Sequence, residues 1–158
     1  GKNMAPRQHM RKMKVGKVTF TEAYKAVHEY RQKFPEKAVT FYAQNYPAMG
    51  WAVFMAGGSC PVIPCTDKAF LKDAAAMEVE ETDTDNYKKM VKSDIGSIIY
   101  SKSGTEIPVQ LSPGKYILKY IHPGSGKMVI MDKSLKINGV YKLKVPDKKE
   151  GIYWFHKL

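Results

Sequence analysis

Apolar residues Ala23, Ala26, Val27, Tyr30 and Phe34 recur at helical spacing. In front of them, Thr19-Phe20-Thr21-Glu22 has the form of a capping box, with Thr19 as N-cap and Glu22 reaching back. Pro35 predicts the end of that helix. Ala38 to Ala43 is short, β-branched and aromatic, and predicts a buried strand. Asn45 as cap and Pro47 in the first turn predict a second helix over Ala48 to Ala56, stopped by Gly57-Gly58. That helix is apolar on every side and must be buried on every side. Asp67 caps a third helix, Lys68 to Met77, which Ala74, Ala75 and Ala76 favour.

The pattern changes near residue 78. Glu78 to Lys92 is acidic and then basic, with a short helical piece predicted around Tyr87–Val91. Beyond it, short apolar runs alternate with turn residues. Strands are predicted over Gly96–Ser101, Thr105–Leu111, Gly114–His122, Lys127–Asp132, Ser134–Ile137, Val140–Val145 and Gly151–His156. Asn138-Gly139 carries the hairpin signal, and Ser112-Pro113 reads as a break. The fold class expected is α+β. Residues 1–78 would form a basic arm with a helix–strand–helix–helix segment, packed on a C-terminal antiparallel β-sandwich over 79–158.

Composition narrows the function classes. Hydrophobic residues are 44% and charged residues 26% of 158, the balance of a globular chain. No apolar run approaches the ~18–20 residues of a membrane span, so none is expected. The net charge of +11 is uneven: +7 over residues 1–38, −1 over 39–78 and +5 over 79–158. Arg7, Arg11, Lys12, Lys14 and Lys17 make the N-terminal pole, an arm able to bind polyanions without sequence preference. Zinc-finger spacing, aromatic RNP-type motifs and basic-zipper heptads are missing, so nucleic acid is not the expected partner.

Motifs for catalysis are sparse. Cys60 and Cys65 lack zinc-pair and redox spacing, and read as two buried thiols. His9, His28, His122 and His156 show no ligand pairing, and no metal or cofactor is expected. Neither G-x-S-x-G nor a Walker loop occurs, and Gly124-Ser125-Gly126-Lys127 reads as a hairpin turn. The acidic run Glu78, Glu80, Glu81, Asp83 and Asp85 lacks the calcium-loop pattern. Aromatics remain. On the strand Gly114–His122, Tyr116, Leu118, Tyr120 and His122 share one face. With Trp154, the residues Tyr116, Tyr120 and His122 are the candidate ligand-binding set, rings on which a sugar's C–H face would stack.

The string Tyr46-Pro47-x-x-Gly50-Trp51-Ala52-x-Phe54-Met55-Ala56-Gly57-Gly58-Ser59 resembles the last barrel helix of bacterial glycoside-hydrolase-like proteins in which a TIM barrel precedes a C-terminal β-sandwich. Gly114-x-Tyr116-x-Leu118-x-Tyr120-Ile121-x-Pro123-x-Ser125-Gly126 is similar to a recurring strand and turn of that sandwich, a module often labelled collagen-binding. Gly151 to Phe155 is similar to its final strand. Tyr120 stands where the family has Trp, and His122 where it has Asp. The resemblance covers about residues 39–158. It implies the C-terminal end of such an enzyme, a secreted or periplasmic address, and catalytic carboxylates in a barrel of which this chain has little. No catalytic residue carries over. The expected function is a non-catalytic accessory module, carbohydrate-binding or structural, with a polysaccharide or glycan as partner. A glycoside hydrolase with a reduced active site, and polyanion binding through the arm, are the alternatives. Helix 48–56 is expected to find its cover on the sandwich, on the first helix, or in a homo-oligomer.

Overall fold

The computed structural model describes residues 18–41, 46–146 and 149–158. Three helices come first: α1 (Phe20–Lys33), α2 (Tyr46–Met55) and α3 (Lys68–Ala76). Six strands follow: β1 (Glu78–Glu80), β2 (Tyr87–Lys92), β3 (Gly96–Ser101), β4 (Glu106–Ile121), β5 (Met128–Lys144) and β6 (Gly151–Lys157). All neighbours are antiparallel, in one sheet of order β1-β2-β3-β6-β4-β5. The fold is α+β, with a helical N-terminal part and a C-terminal sheet.

Local chemistry sets the helix ends. The Thr19 hydroxyl accepts from the Glu22 amide at 3.3 Å, and the Thr19 amide donates to the Glu22 carboxylate at 2.9 Å. Together these complete the capping box. That backbone bond holds the Glu22 carboxyl below its ordinary range. The Asp67 carboxylate accepts from the Phe70 amide at 2.8 Å and opens α3.

Two cores lie on opposite faces of the sheet. The first joins Val27, Trp51, Phe54, Met55 and Phe70 of the helices to Ile98, Tyr100, Ile152 and Trp154 of the sheet. Trp51, Ala52, Val53, Phe54 and Met55 are all buried, so α2 finds its cover within this chain. The second core comes from the sheet folding over itself. The register of β4 and β5 slips between Leu111 and Gly114, at Ser112-Pro113. Before the slip, Ile107, Val109 and Leu111 point inward; after it, Tyr116, Leu118 and Tyr120 do. The long β4–β5 hairpin thereby bends across β3 and β6, and all of these side chains meet Ile99, Tyr153 and Phe155. This makes the sandwich-like layer. Residues 151–155 of β6 are covered on both faces and are buried throughout.

Several expectations are corrected. Tyr87–Val91 is strand β2, not a helical piece: Lys88 and Lys89 are buried within it. The Lys89 ammonium lies 2.6 Å from Glu80 and donates to the Pro108 carbonyl at 3.1 Å. The Lys88 ammonium sits 4.7 Å above the Tyr24 ring and donates to Asp85 at 3.3 Å. Residues 38–41 form no strand; Val39 is instead tied to Ser59 by bonds of 2.7 and 3.2 Å. Residues 42–45, including the proposed cap Asn45, lie outside the described residues. Asn138-Gly139 is no hairpin: Gly139, at φ +94°, lies inside β5 opposite Leu111, beside the bulge. Thr105–Leu111 and Gly114–His122 merge into β4, and the three runs from Lys127 to Val145 into β5. Cys65 is buried and its thiol is pushed up by burial, but Cys60 is exposed; no disulfide joins the two.

Candidate functional site

Two glycines set the walls of a cleft on the sheet's helical side. A side-chain carbon on Gly50 of α2 would fall 1.7 Å from the Val62 carbonyl oxygen. Gly126, at φ +70°, packs so that such a carbon would fall 2.1 Å from the Pro64 carbonyl oxygen. The loop Val62-Ile63-Pro64 is thus clamped between α2 and the β4–β5 turn. Trp51 reinforces the clamp, its indole N–H donating to the Pro123 carbonyl at 2.8 Å. The cleft is open to solvent, has a volume of about 670 Å³ and is lined by Trp51, Val62, Ile63, Pro64, His122, Pro123, Gly124 and Glu150. That volume lies within the usual range of small-ligand sites, roughly 300–1,000 Å³.

His122 organises the turn. Its Nδ1 accepts from the backbone amides of Gly124 and Ser125, each at 3.2 Å. An Nδ1 that accepts two bonds carries no proton, so the neutral ring holds its hydrogen on Nε2. Across the cleft, Glu150 is tied by two tyrosines. The Tyr100 hydroxyl donates to its carboxylate, and the Tyr120 hydroxyl donates to its backbone carbonyl at 3.0 Å. Burial and the carboxylate push the Tyr100 hydroxyl well above its ordinary value. The Lys149 ammonium lies 4.2 Å from the centre of the Tyr120 ring. The cleft therefore offers one ring N–H donor and one anchored carboxylate against an apolar wall.

The four sequence-predicted residues separate. His122 lines the cleft. Tyr120 is buried behind it and holds Glu150 in place. Tyr116 and Trp154 lie elsewhere, each with no exposed surface. The Tyr116 hydroxyl donates to the Ser112 carbonyl at 2.7 Å and braces the bend of β4. The Trp154 indole donates to Asp73 of α3 at 2.9 Å. Tyr116, Tyr120 and Trp154 thus present no ring face to solvent, and the expected stacking row is core instead. Glu150 and the loop 62–64 were missed. The only sequence hint was Gly126 following a Pro-Gly-Ser turn, which says close approach without saying to what. Arg7, Arg11, Lys12, Lys14 and Lys17 lie outside the described residues.

A second depression of about 980 Å³ lies between α1, α3 and β1. Most of its polar side chains are already engaged. Glu81 lies 2.6 Å from the His28 Nε2 and accepts from Gln32 at 2.9 Å. The His28 bond holds the Glu81 carboxyl below its usual range. Arg31 donates to the carbonyls of Pro35 and Lys37 beyond α1, at 3.3 and 3.0 Å. Among the described residues no group of three His, Cys, Asp or Glu could hold a metal ion, and no helix is long and apolar enough to cross a membrane.

Residues 1–77 match a family model described as a domain of unknown function, DUF6298. The match ends at Met77, between α3 and β1. No curated protein matches the chain. Among solved structures, a chain titled "Glycoside hydrolase" shows weak, partial similarity: 14% identity and a TM-score of 0.39, over 52% of this chain. The chain spans about a fifth of that protein, 20% of its length.

Proposed function

We propose that this chain is a non-catalytic, carbohydrate-associated module, an accessory part of a glycoside-hydrolase-like protein that holds a sugar in the cleft at His122 and Glu150. The observation that carries this reading is the cleft's composition. A sugar ring has apolar C–H faces and a rim of hydroxyls. Val62, Ile63 and Pro64 supply the apolar surface, the His122 Nε2–H supplies a donor, and the Glu150 carboxylate supplies an acceptor. Both polar groups are fixed before a ligand arrives, which lowers the ordering cost of binding. The sharing of one core between helices and sheet supports a structural role beside the binding one.

The test is a screen of the intact chain against neutral oligosaccharides, followed by titration of any hit with His122→Ala and Glu150→Gln. His122→Ala removes the ring donor, and Glu150→Gln replaces the charged acceptor with a neutral, weaker one. A loss of roughly tenfold in affinity per variant is expected, the scale of a single well-made hydrogen bond. Saturable binding untouched by either variant would reject the cleft as the site.

A further inference from the structure

The bend in the β4–β5 hairpin also decides which side chains face outward. Ile107, Val109 and Leu111 point into the second core, so Glu106, Pro108 and Gln110 point away from it. Past the slip, Tyr116, Leu118 and Tyr120 point inward, so Lys115 continues the exposed face, while Ile117 and Lys119 lie half-buried beside His156 and Trp154. The register extends that face onto β5. Lys144 lies opposite Glu106, Lys142 opposite Pro108, Val140 opposite Gln110, and Lys136 opposite Lys115. The outer face therefore carries Lys115, Lys136, Lys142 and Lys144 against a single acid, Glu106; Lys119 is half-buried, its ammonium 4.7 Å over the ring of its cross-strand neighbour Trp154. Glu106 pairs with Lys142 at 3.4 Å, where both side chains are about half exposed or more. Lys115, Lys136 and Lys144 have no acidic partner among the described residues.

Edge protection explains part of this. β5 is an edge strand, and lysines there discourage pairing with other chains. Lys115 is not explained that way. It sits on β4, inside the sheet, with Lys136 on one side and the end of β6 on the other, where the Leu158 amide donates to the Lys115 carbonyl at 2.9 Å. Lys115 and Lys136 are direct cross-strand neighbours, their Cα atoms roughly 5 Å apart by antiparallel geometry. Like charges placed so are unfavourable in the free protein. From Lys136 to Lys144 the row is at most about 27 Å long, the length of eight residues of straight strand, and it crosses the bend at Gly139. No single small anion spans it.

We infer that the outer face of the β4–β5 hairpin binds a linear anionic polysaccharide, its carboxylates or sulfates lying along the lysines with the Lys115–Lys136 pair as the central contact. This rests on the carbohydrate reading above and adds the charge class of the sugar. The two surfaces are separate: the cleft would take a neutral ring, and the strip would take the charged polymer.

The experiment titrates the full chain with polygalacturonate, its fully methyl-esterified form, dextran sulfate and duplex DNA, over a range of salt. Esterification removes the charge and keeps the sugar. The expected result is binding to polygalacturonate or dextran sulfate, with the ester weaker by tenfold or more. Lys115→Gln/Lys136→Gln should lower the slope of log affinity against log salt by roughly 1.5, the share of two released counterions. The double variant should keep the parent's melting temperature or exceed it, since a repulsion is removed. Arg11→Gln/Lys12→Gln/Lys14→Gln reads the arm separately. If the arm variant removes the preference and the Lys115/Lys136 variant leaves the slope unchanged, the strip is not the site. If the ester binds as well as the free acid in a His122-dependent way, the strip is rejected and the carbohydrate reading stands. If only DNA binds, or no polymer binds, the strip is rejected, and the neutral-oligosaccharide screen alone decides the cleft.

Discussion

Phe70→Ala should uncouple the helices from the sheet. Phe70 is completely buried and stands between the two tryptophans of the chain. Its ring centre lies 6.3 Å from Trp51 on α2, 5.6 Å from Phe54, and 5.4 Å from Trp154 on β6. Removing a buried phenylalanine ring costs about 3–5 kcal/mol, from lost transfer energy and the cavity left behind. Because three aromatic neighbours lose a partner, a value of about 4 kcal/mol is expected. At a urea dependence of about 2 kcal/mol per M, the unfolding midpoint falls by about 2 M. Tryptophan fluorescence reads the event directly, since one reporter sits in the helical layer and the other in the sheet. The parent should unfold in one transition. Leu71→Ala, at a 41% exposed neighbour, should cost less than about 1 kcal/mol. A Phe70→Ala loss no larger than the Leu71→Ala loss would refute a core shared between helices and sheet.

Tyr153 carries a buried hydroxyl with no hydrogen-bond partner. Tyr153→Phe should leave stability unchanged or raise it by up to about 1–2 kcal/mol, the desolvation cost of that group; clear destabilisation in urea unfolding would show that the hydroxyl has a partner after all. Burial also pushes Tyr153 up to about 12, so its hydroxyl should ionise well after exposed tyrosines in an absorbance titration at alkaline pH. A folded pKa raised above the unfolded value means stability is full below pH 10 and is lost as pH rises toward 12. Glu81 works in the other direction: its carboxyl is depressed by the His28 bond, so its contribution is present above its unfolded value of about 4.5 and is lost as pH falls through the folded one. Glu81→Gln should therefore flatten the acid limb of melting temperature against pH. The effect is small because the Glu81 side chain is 73% exposed. Gly126→Ala forces a carbon toward the Pro64 carbonyl at an unfavourable φ. It should cost about 1–3 kcal/mol and open the cleft, seen as shifted His122 resonances in NMR.

Much of this was legible where local chemistry dominates. Thr19, Glu22 and Asp67 announce their helices because capping bonds span three residues. Gly96–Ser101 and Gly151–His156 announce strands because β3 and β6 are central and apolar on both faces. The β2 strand hid because Lys88 and Lys89 are covered in part by groups distant in sequence, the Tyr24 ring and the Pro108 carbonyl. The aromatic row misled for a related reason. Alternation correctly placed Tyr116, Leu118 and Tyr120 on one face, but the cover of that face comes from Ile107, Val109 and Leu111 of the same strand. The Ser112-Pro113 slip that brings them there reads as a simple break in one dimension. Of the candidate site only His122 was legible. Glu150 and the loop 62–64 reach it through contacts across the whole chain.

Calorimetric titration of the intact chain with a hit from the neutral-oligosaccharide screen, with chromatography of the sugar before and after, asks whether the cleft holds a sugar without cutting it. Saturable one-site binding is expected, weakened by His122→Ala, with every oligosaccharide recovered uncut. Cleaved sugar would show a catalyst, and absence of binding across the screen would show that the cleft serves no sugar; either result contradicts the account.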